Sequence, residues 1–188
     1  MAAQSTPLSV ANVSGPDIDN LFSLQGSIAP NDEFTDIALP GISGKAILHS
    51  RTFRGAAGSK AEGRTAYQYR IDLTNATTLA EVSCVTSLSV KFGAIAKLRY
   101  GGRPLRDVYQ IVEGVPPNQI GLATAVQTEN VVTFTFAQPI CAADADNPGK
   151  TSFFFGLSSF DAPVRGVRVQ IGAPAVGDIP VKSFGPIR

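Results

Sequence analysis

His49 is the only histidine in the chain, so any Ser–His or Cys–His mechanism would have to run through it. It lies in Leu48-His49-Ser50, inside a run that reads as a β-strand. No G-x-S-x-G elbow occurs anywhere to present a nucleophile. These residues therefore give His49 a packing or surface role. Gly55-Ala56-Ala57-Gly58-Ser59-Lys60 has the small residues and the lysine of a phosphate loop. It lacks the G-x-x-x-x-G-K-[ST] spacing, and no helix follows to supply anion-binding amides. It reads as a hairpin loop.

Oxygen ligands are closest together in Asp144-Ala145-Asp146-Asn147-Pro148-Gly149. A hard cation such as Ca²⁺ takes several oxygens from one loop, so Asp144, Asp146 and Asn147 form a candidate calcium set, with Asp17, Asp19 or Asp32 as distant partners. Position twelve of an EF-hand loop beginning at Asp144 would be a glutamate but is Phe155, which excludes that motif. Asx and Pro-Gly residues are also ordinary turn formers. Two cysteines and one distant histidine do not complete a zinc ligand set.

Arg99, Tyr100, Arg103 and Arg106, with Lys97, form a local basic patch around one aromatic, which Arg51, Arg54 and Arg64 can join. Guanidinium forks bind oxyanions in pairs, so the patch is a candidate site for an anionic sugar or phosphate. The plainer reading is a charged edge that discourages sheet-to-sheet aggregation. Glu33, Glu62, Glu81, Glu113 and Glu129 all fall in loops or at strand ends, and a glycosidase pair among them would be defined by distance rather than by sequence. Trp is absent, and Tyr67 and Tyr69 share an apolar face, so Tyr100 and Tyr109 are left as sugar-stacking candidates.

The elements that must position these groups are strands. Residues 66–74 alternate, with Tyr67, Tyr69, Ile71 and Leu73 on one face and Gln68, Arg70, Asp72 and Thr74 on the other. Residues 82–92 form the longest expected strand, with Cys84, Leu88, Val90 and Phe92 on its apolar face. Further strands are expected at 45–54, 95–100, 107–112, 131–137, 151–158 and 164–171, and shorter ones at 8–13 and 21–28. Gly101-Gly102-Arg103-Pro104 is a strong turn signal. Pro139 should end or kink its strand. Residues 151–158 are apolar on both faces and belong centrally in a sheet. Residues 30–44 and 115–128 read as connections. About nine strands without an amphipathic helix predict an all-β, jelly-roll-like β-sandwich, with a small β-barrel as the alternative.

At 188 residues the chain suits a single domain, here with an N-terminal arm over about 1–20 and a Pro-rich C-terminal tail over about 172–188. Hydrophobic residues make up 44%, enough for a core, and charged residues only 16%, which argues against disorder. Sixteen basic and fifteen acidic residues leave a net charge of +1, which argues against a general nucleic-acid binder. No apolar run is long enough for a membrane span. A Cys84–Cys141 disulfide would close a loop of roughly sixty residues, contributing about 4 kcal/mol by chain entropy. Two buried thiols are the alternative. The cysteines and the low charge point to an oxidising compartment, so the chain is expected to be secreted or surface-bound, its signal peptide removed.

The pieces AYQYRIDLTN, VSCVTSLSVKFG, FTFAQPIC and SFFFGLSS, the last followed by Ala-Pro, resemble exported bacterial β-sandwich domains of cell-surface proteins with PEP-CTERM-like sorting signals, over residues 66–171. The terminal Gly185-Pro186-Ile187-Arg188 lacks the apolar helix and basic tail of such a signal. The resemblance implies export and a surface or matrix role, and it carries over no catalytic residues. The expected function is non-catalytic: adhesion, matrix or glycan binding, with a matrix or cell-surface partner. The alternatives are an extracellular polysaccharide hydrolase acting through carboxylates, and a self-assembling shell or filament subunit, a homo-oligomer whose N-terminal arm is exchanged.

Overall fold

The computed structural model describes residues 4–22, 32–78, 83–113, 118–142 and 150–187. Its strands are β1 (Ser5–Pro7), β2 (Val10–Ser14), β3 (Asp32–Ile37), β4 (Ile42–Gly44), β5 (Ala46–Arg54), β6 (Thr65–Asp72), β7 (Ala76–Thr78), β8 (Cys84–Lys91), β9 (Leu98–Arg99), β10 (Leu105–Arg106), β11 (Val108–Glu113), β12 (Leu122–Thr128), β13 (Val131–Cys141), β14 (Phe155–Ser159), β15 (Val164–Ala173) and β16 (Gly177–Gly185). A five-residue helix, α1 (Gly15–Asp19), and a 3₁₀ turn at Tyr100–Gly102 complete the described elements.

Two six-stranded sheets stack as an open sandwich. The disulfide sheet runs β1-β12-β13-β8-β15-β16 and the tyrosine sheet β2-β11-β14-β6-β5-β3. Each has two edges, so neither closes into a barrel. Alternation explains the shared core. Tyr67, Tyr69 and Ile71 of β6 and Phe155 and Leu157 of β14 meet Leu88, Val90, Val132, Phe134, Val169 and Ile171 of the disulfide sheet. Phe134 and Phe155 pack with ring centroids 4.9 Å apart. As expected, this segment is central in its sheet, but the strand is shorter and later than 151–158: β14 covers Phe155–Ser159, all buried.

A second apolar cluster covers part of the outer face of the tyrosine sheet. Ala11 and Val13 of β2, Phe53, Ala66, Tyr109 and Ile111 supply its floor. Ile18, Leu21, Phe22, Ala61, Leu98 and Tyr100 supply the cover. Helix α1 enters this cover through a capping box, with Ser14 and Asp17 satisfying each other's backbone N–H. The 55–64 loop packs back so closely that a Cβ on Gly55 would lie 1.7 Å from the Ala61 carbonyl oxygen, so only glycine fits there.

Several expected boundaries are corrected. The connection over 30–44 holds β3 and β4, and that over 115–128 holds β12. The supposed arm contributes a strand to each sheet: β1, an unexpected strand, pairs with β12, and β2, which overlaps the short strand expected at 8–13, runs parallel to β11. The supposed tail contains β16, paired with β15 along nearly its whole length. These are edge or near-edge strands, where one flank sees water and the apolar alternation is thin. Pro180 fits β16 because an edge strand leaves one row of N–H groups unpaired. Pro139 does not end β13; it lies where pairing with β8 shifts register between Thr135 and Ile140. The expected strand at 21–28 falls mostly outside the described residues, which include only Leu21 and Phe22.

The disulfide is present, and Cys84 and Cys141 face each other across β8 and β13 with Cα atoms 4.0 Å apart. Cys84 is not on the core face, however. The register shift lets Val85 take the buried position, opposite Ile140, and leaves both cysteines half-buried.

Candidate functional site

On the outer face of the tyrosine sheet, register aligns two neighbouring rows of side chains. One row runs Asp32 (β3), Arg51 (β5), Gln68 (β6), Gly156 (β14), Tyr109 (β11). The next runs Phe34 (β3), His49 (β5), Arg70 (β6), with Phe154 beside it just ahead of β14. Rows two residues apart share a face and lie about 6.6 Å apart. At the β14 and β11 end the rows pass under the second cluster; at the β3 end they are open.

Gly156 allows the crowded end. A Cβ there would lie 2.1 Å from the Tyr67 carbonyl oxygen and 3.0 Å from Tyr109 Oη. Tyr109 Oη faces the Gln68 carboxamide without a well-aligned hydrogen bond. Burial, then the neighbouring Tyr100, push the Tyr109 phenol well above its ordinary range, so it stays neutral. Gln68 is fully buried and accepts a 2.8 Å hydrogen bond from Arg51 Nε. The Arg51 guanidinium lies over Phe154 at 3.8 Å and near Phe53 at 5.2 Å. Arg70 also approaches Phe154, at 5.4 Å, and pairs with Asp72 at 3.6 Å. Burial lowers the Arg51 pKa, but a guanidinium starts so high that it stays charged.

His49 is held on three sides. Phe34 stacks on it with centroids 4.1 Å apart and planes 20° from parallel. Phe154 meets it edge-on at 5.1 Å. Its Nε2 is bonded to Asp32 Oδ1. Burial lowers the His49 pKa, Arg51 and Arg70 adding to the fall, against the opposing bond from Asp32. Ser50, its neighbour in the chain, points to the opposite face and is fully buried. His49 therefore has its Nε2 engaged and no adjacent serine on its own face, as a packed surface role requires. Phe34 is 64% exposed, a flat ring facing solvent.

The patch expected from sequence is dispersed. Tyr100 is completely buried, its ring 5.0 Å from Tyr109, and cannot present a stacking surface. Arg99 is exposed and lines a depression of about 290 Å³ with Asp17 and Asn20. Arg103 is exposed at the end of the 3₁₀ turn, and Arg106 is half-buried opposite Leu98. Lys97 pairs with buried Asp107 at 3.2 Å. Burial alone would raise the Asp107 pKa, but hydrogen bonds from the Ser9 side chain and backbone and from Lys97 outweigh it, and the net shift is downward. Arg54 and Arg64 line a separate depression of about 280 Å³ with Phe160, and Arg51 belongs to the rows described above.

The calcium candidates Asp144, Asp146 and Asn147 lie outside the described residues. Their suggested partners are otherwise engaged in two cases: Asp17 caps α1 and Asp32 holds His49. Among the described residues no cluster of three or more His, Cys, Asp or Glu side chains is placed to hold a metal, and no helix is long and apolar enough to cross a membrane.

Phe34, Gln68, Arg70 and Phe154 escaped the sequence reading of the site. Gln68 and Arg70 were visible as the polar side of β6, but only strand register places them beside β5. Phe34 sat in a presumed connection. In comparisons with known proteins, no family model, no curated protein and no solved structure matches the chain.

Proposed function

We propose that this chain is a non-catalytic, exported β-sandwich that binds glycan on the open end of the tyrosine sheet, in an adhesive or matrix role. The observation that carries this reading is Phe34: an exposed ring, backed flat by His49, beside the Asp32 carboxylate and the Arg51 guanidinium. An aromatic ring offers the C–H face of a pyranose a rigid apolar platform. Carboxylate and guanidinium groups beside it suit sugar hydroxyls, as acceptor and donor. Export is supported by the disulfide, a bond that persists in oxidising compartments, and by the resemblance to exported surface domains.

Glycan-array screening followed by calorimetric titration tests the reading. Phe34→Ala should weaken binding of the best oligosaccharide at least tenfold while leaving the thermal melt in place, since the ring is largely outside the core. Binding unaffected by Phe34→Ala, or no glycan bound at all, would overturn it. Cleavage of a bound oligosaccharide would replace it with the hydrolase alternative.

A further inference from the structure

We infer that the glycan is acidic, and that Arg51 is the residue that selects its oxyanion. This rests on the glycan reading and adds the charge of the sugar to it. Four ion pairs are found among the described residues: Lys45–Asp36, His49–Asp32, Arg70–Asp72 and Lys97–Asp107. Arg70 on the same face thus has a carboxylate at 3.6 Å. Among the described residues Arg51 has none within ion-pair distance, although Asp32 is its cross-strand neighbour. Asp32 is turned to His49 instead.

Arg51 is nevertheless the more constrained of the two arginines. Its Nε is fixed by Gln68, and its Cζ lies over the Phe154 ring, 3.8 Å from the centroid. That leaves the terminal N–H groups with no carboxylate within ion-pair distance among the described residues; Asp32 and Asp19 act on the charge only from farther away. A partly desolvated cation without a close counter-charge is unfavourable, and an incoming oxyanion relieves it. A planar fork matches carboxylate or sulfate through two parallel hydrogen bonds, and its rigidity reduces the ordering lost on binding. The Phe34–His49 row is one two-residue step away, about 6.6 Å. A sugar ring stacked on Phe34 therefore places an acidic group of that ring or of its neighbour within reach of Arg51. A nucleic acid fits less well, because sixteen basic and fifteen acidic residues leave a net charge of +1, short of the strong positive excess that following a phosphate backbone requires.

The experiment is a titration of the full chain with three oligosaccharides on one backbone: oligogalacturonate, its neutral methyl ester and a sulfated form. A single-stranded oligonucleotide is the fourth probe. An oxyanion-bearing form should bind at least tenfold tighter than the ester, and carboxylate against sulfate identifies the source of the anion. Arg51→Gln should bring the acidic forms to within about twofold of the ester, whereas Phe34→Ala should weaken all forms equally. Should Arg51→Gln fail to fold, the salt dependence of the parent protein decides: affinity for the acidic form should fall with ionic strength, and affinity for the ester should hold. Equal binding of acid and ester would overturn the inference and leave the glycan reading intact. Binding of none of the three by a protein that binds a neutral glycan on the array would overturn the inference alone; binding of no glycan at all, or tighter binding of the oligonucleotide, would overturn both.

Discussion

The outer faces of the two sheets handle water in opposite ways. On the disulfide sheet the outward residues are polar: hydroxyls on β1, β8, β12 and β13, with the longer Lys91, Arg168, Gln170 and Lys182 among and beside them. Ser5 bonds Thr128 and Ser89 bonds Thr133, each at 2.8 Å, and Thr86 donates to the Gly172 carbonyl. Such side chains are satisfied by each other and by solvent, and the described residues place no cover over them. On the tyrosine sheet the outward residues are large: Phe53, Tyr109, Ile111 and Phe154 beside Arg51 and Arg70. Those rings need a roof, and α1, the 55–64 loop and the β9–β10 hairpin provide one. Because the roof stops partway, cations and rings are stranded at its margin, half in water. The candidate site is that margin.

The comparison can be broken most strongly through the two cores. Phe134→Ala removes a ring shared by both sheets and should destabilise by about 3–5 kcal/mol in urea titrations. Phe22→Ala in the roof should have a smaller effect, because a loop-built cover relaxes into the space more readily than two stacked sheets. Equal losses would mean that the roof is as integral as the main core. Next in size is the disulfide. Reduction should lower stability by about 4 kcal/mol on the chain-entropy model for 57 residues, seen as a drop in Tm with reductant. An unchanged Tm would remove the sulfur link from the account of the hydroxyl-faced sheet.

The smallest effect sharpens the roof margin. The folded-state pKa of His49 lies below its ordinary 6.5. The unfolded chain therefore binds more protons as pH falls through that value, and stability is lost on acidification. Between pH 8 and 5.5 the Tm of the parent protein should fall more than that of His49→Gln. A fall at least as large in the variant would show that His49 is not the titrating group.

Strand character and the cysteine pairing were legible because both depend on local signals. Tyr67, Tyr69 and Ile71 alternate, and two cysteines leave one possible intrachain bridge. What was hidden depends on register. Val85 replaces Cys84 in the core only because β13 carries extra residues between Thr135 and Ile140. Tyr100 looked like an exposed aromatic among arginines because local sequence does not reveal the second cluster that buries it. Gln68 is polar and fully buried, against its alternation, for the same reason. The site itself draws Phe34, Arg51, Arg70 and Phe154 from four separate segments.

The extra length in β13 gives the strand slack, and slack permits more than one alignment against its neighbour. The Cys84–Cys141 bond sits where the ladder resumes, between directly opposed residues. It acts there as a latch on position: once formed, it dictates which residue beyond the irregular stretch meets which.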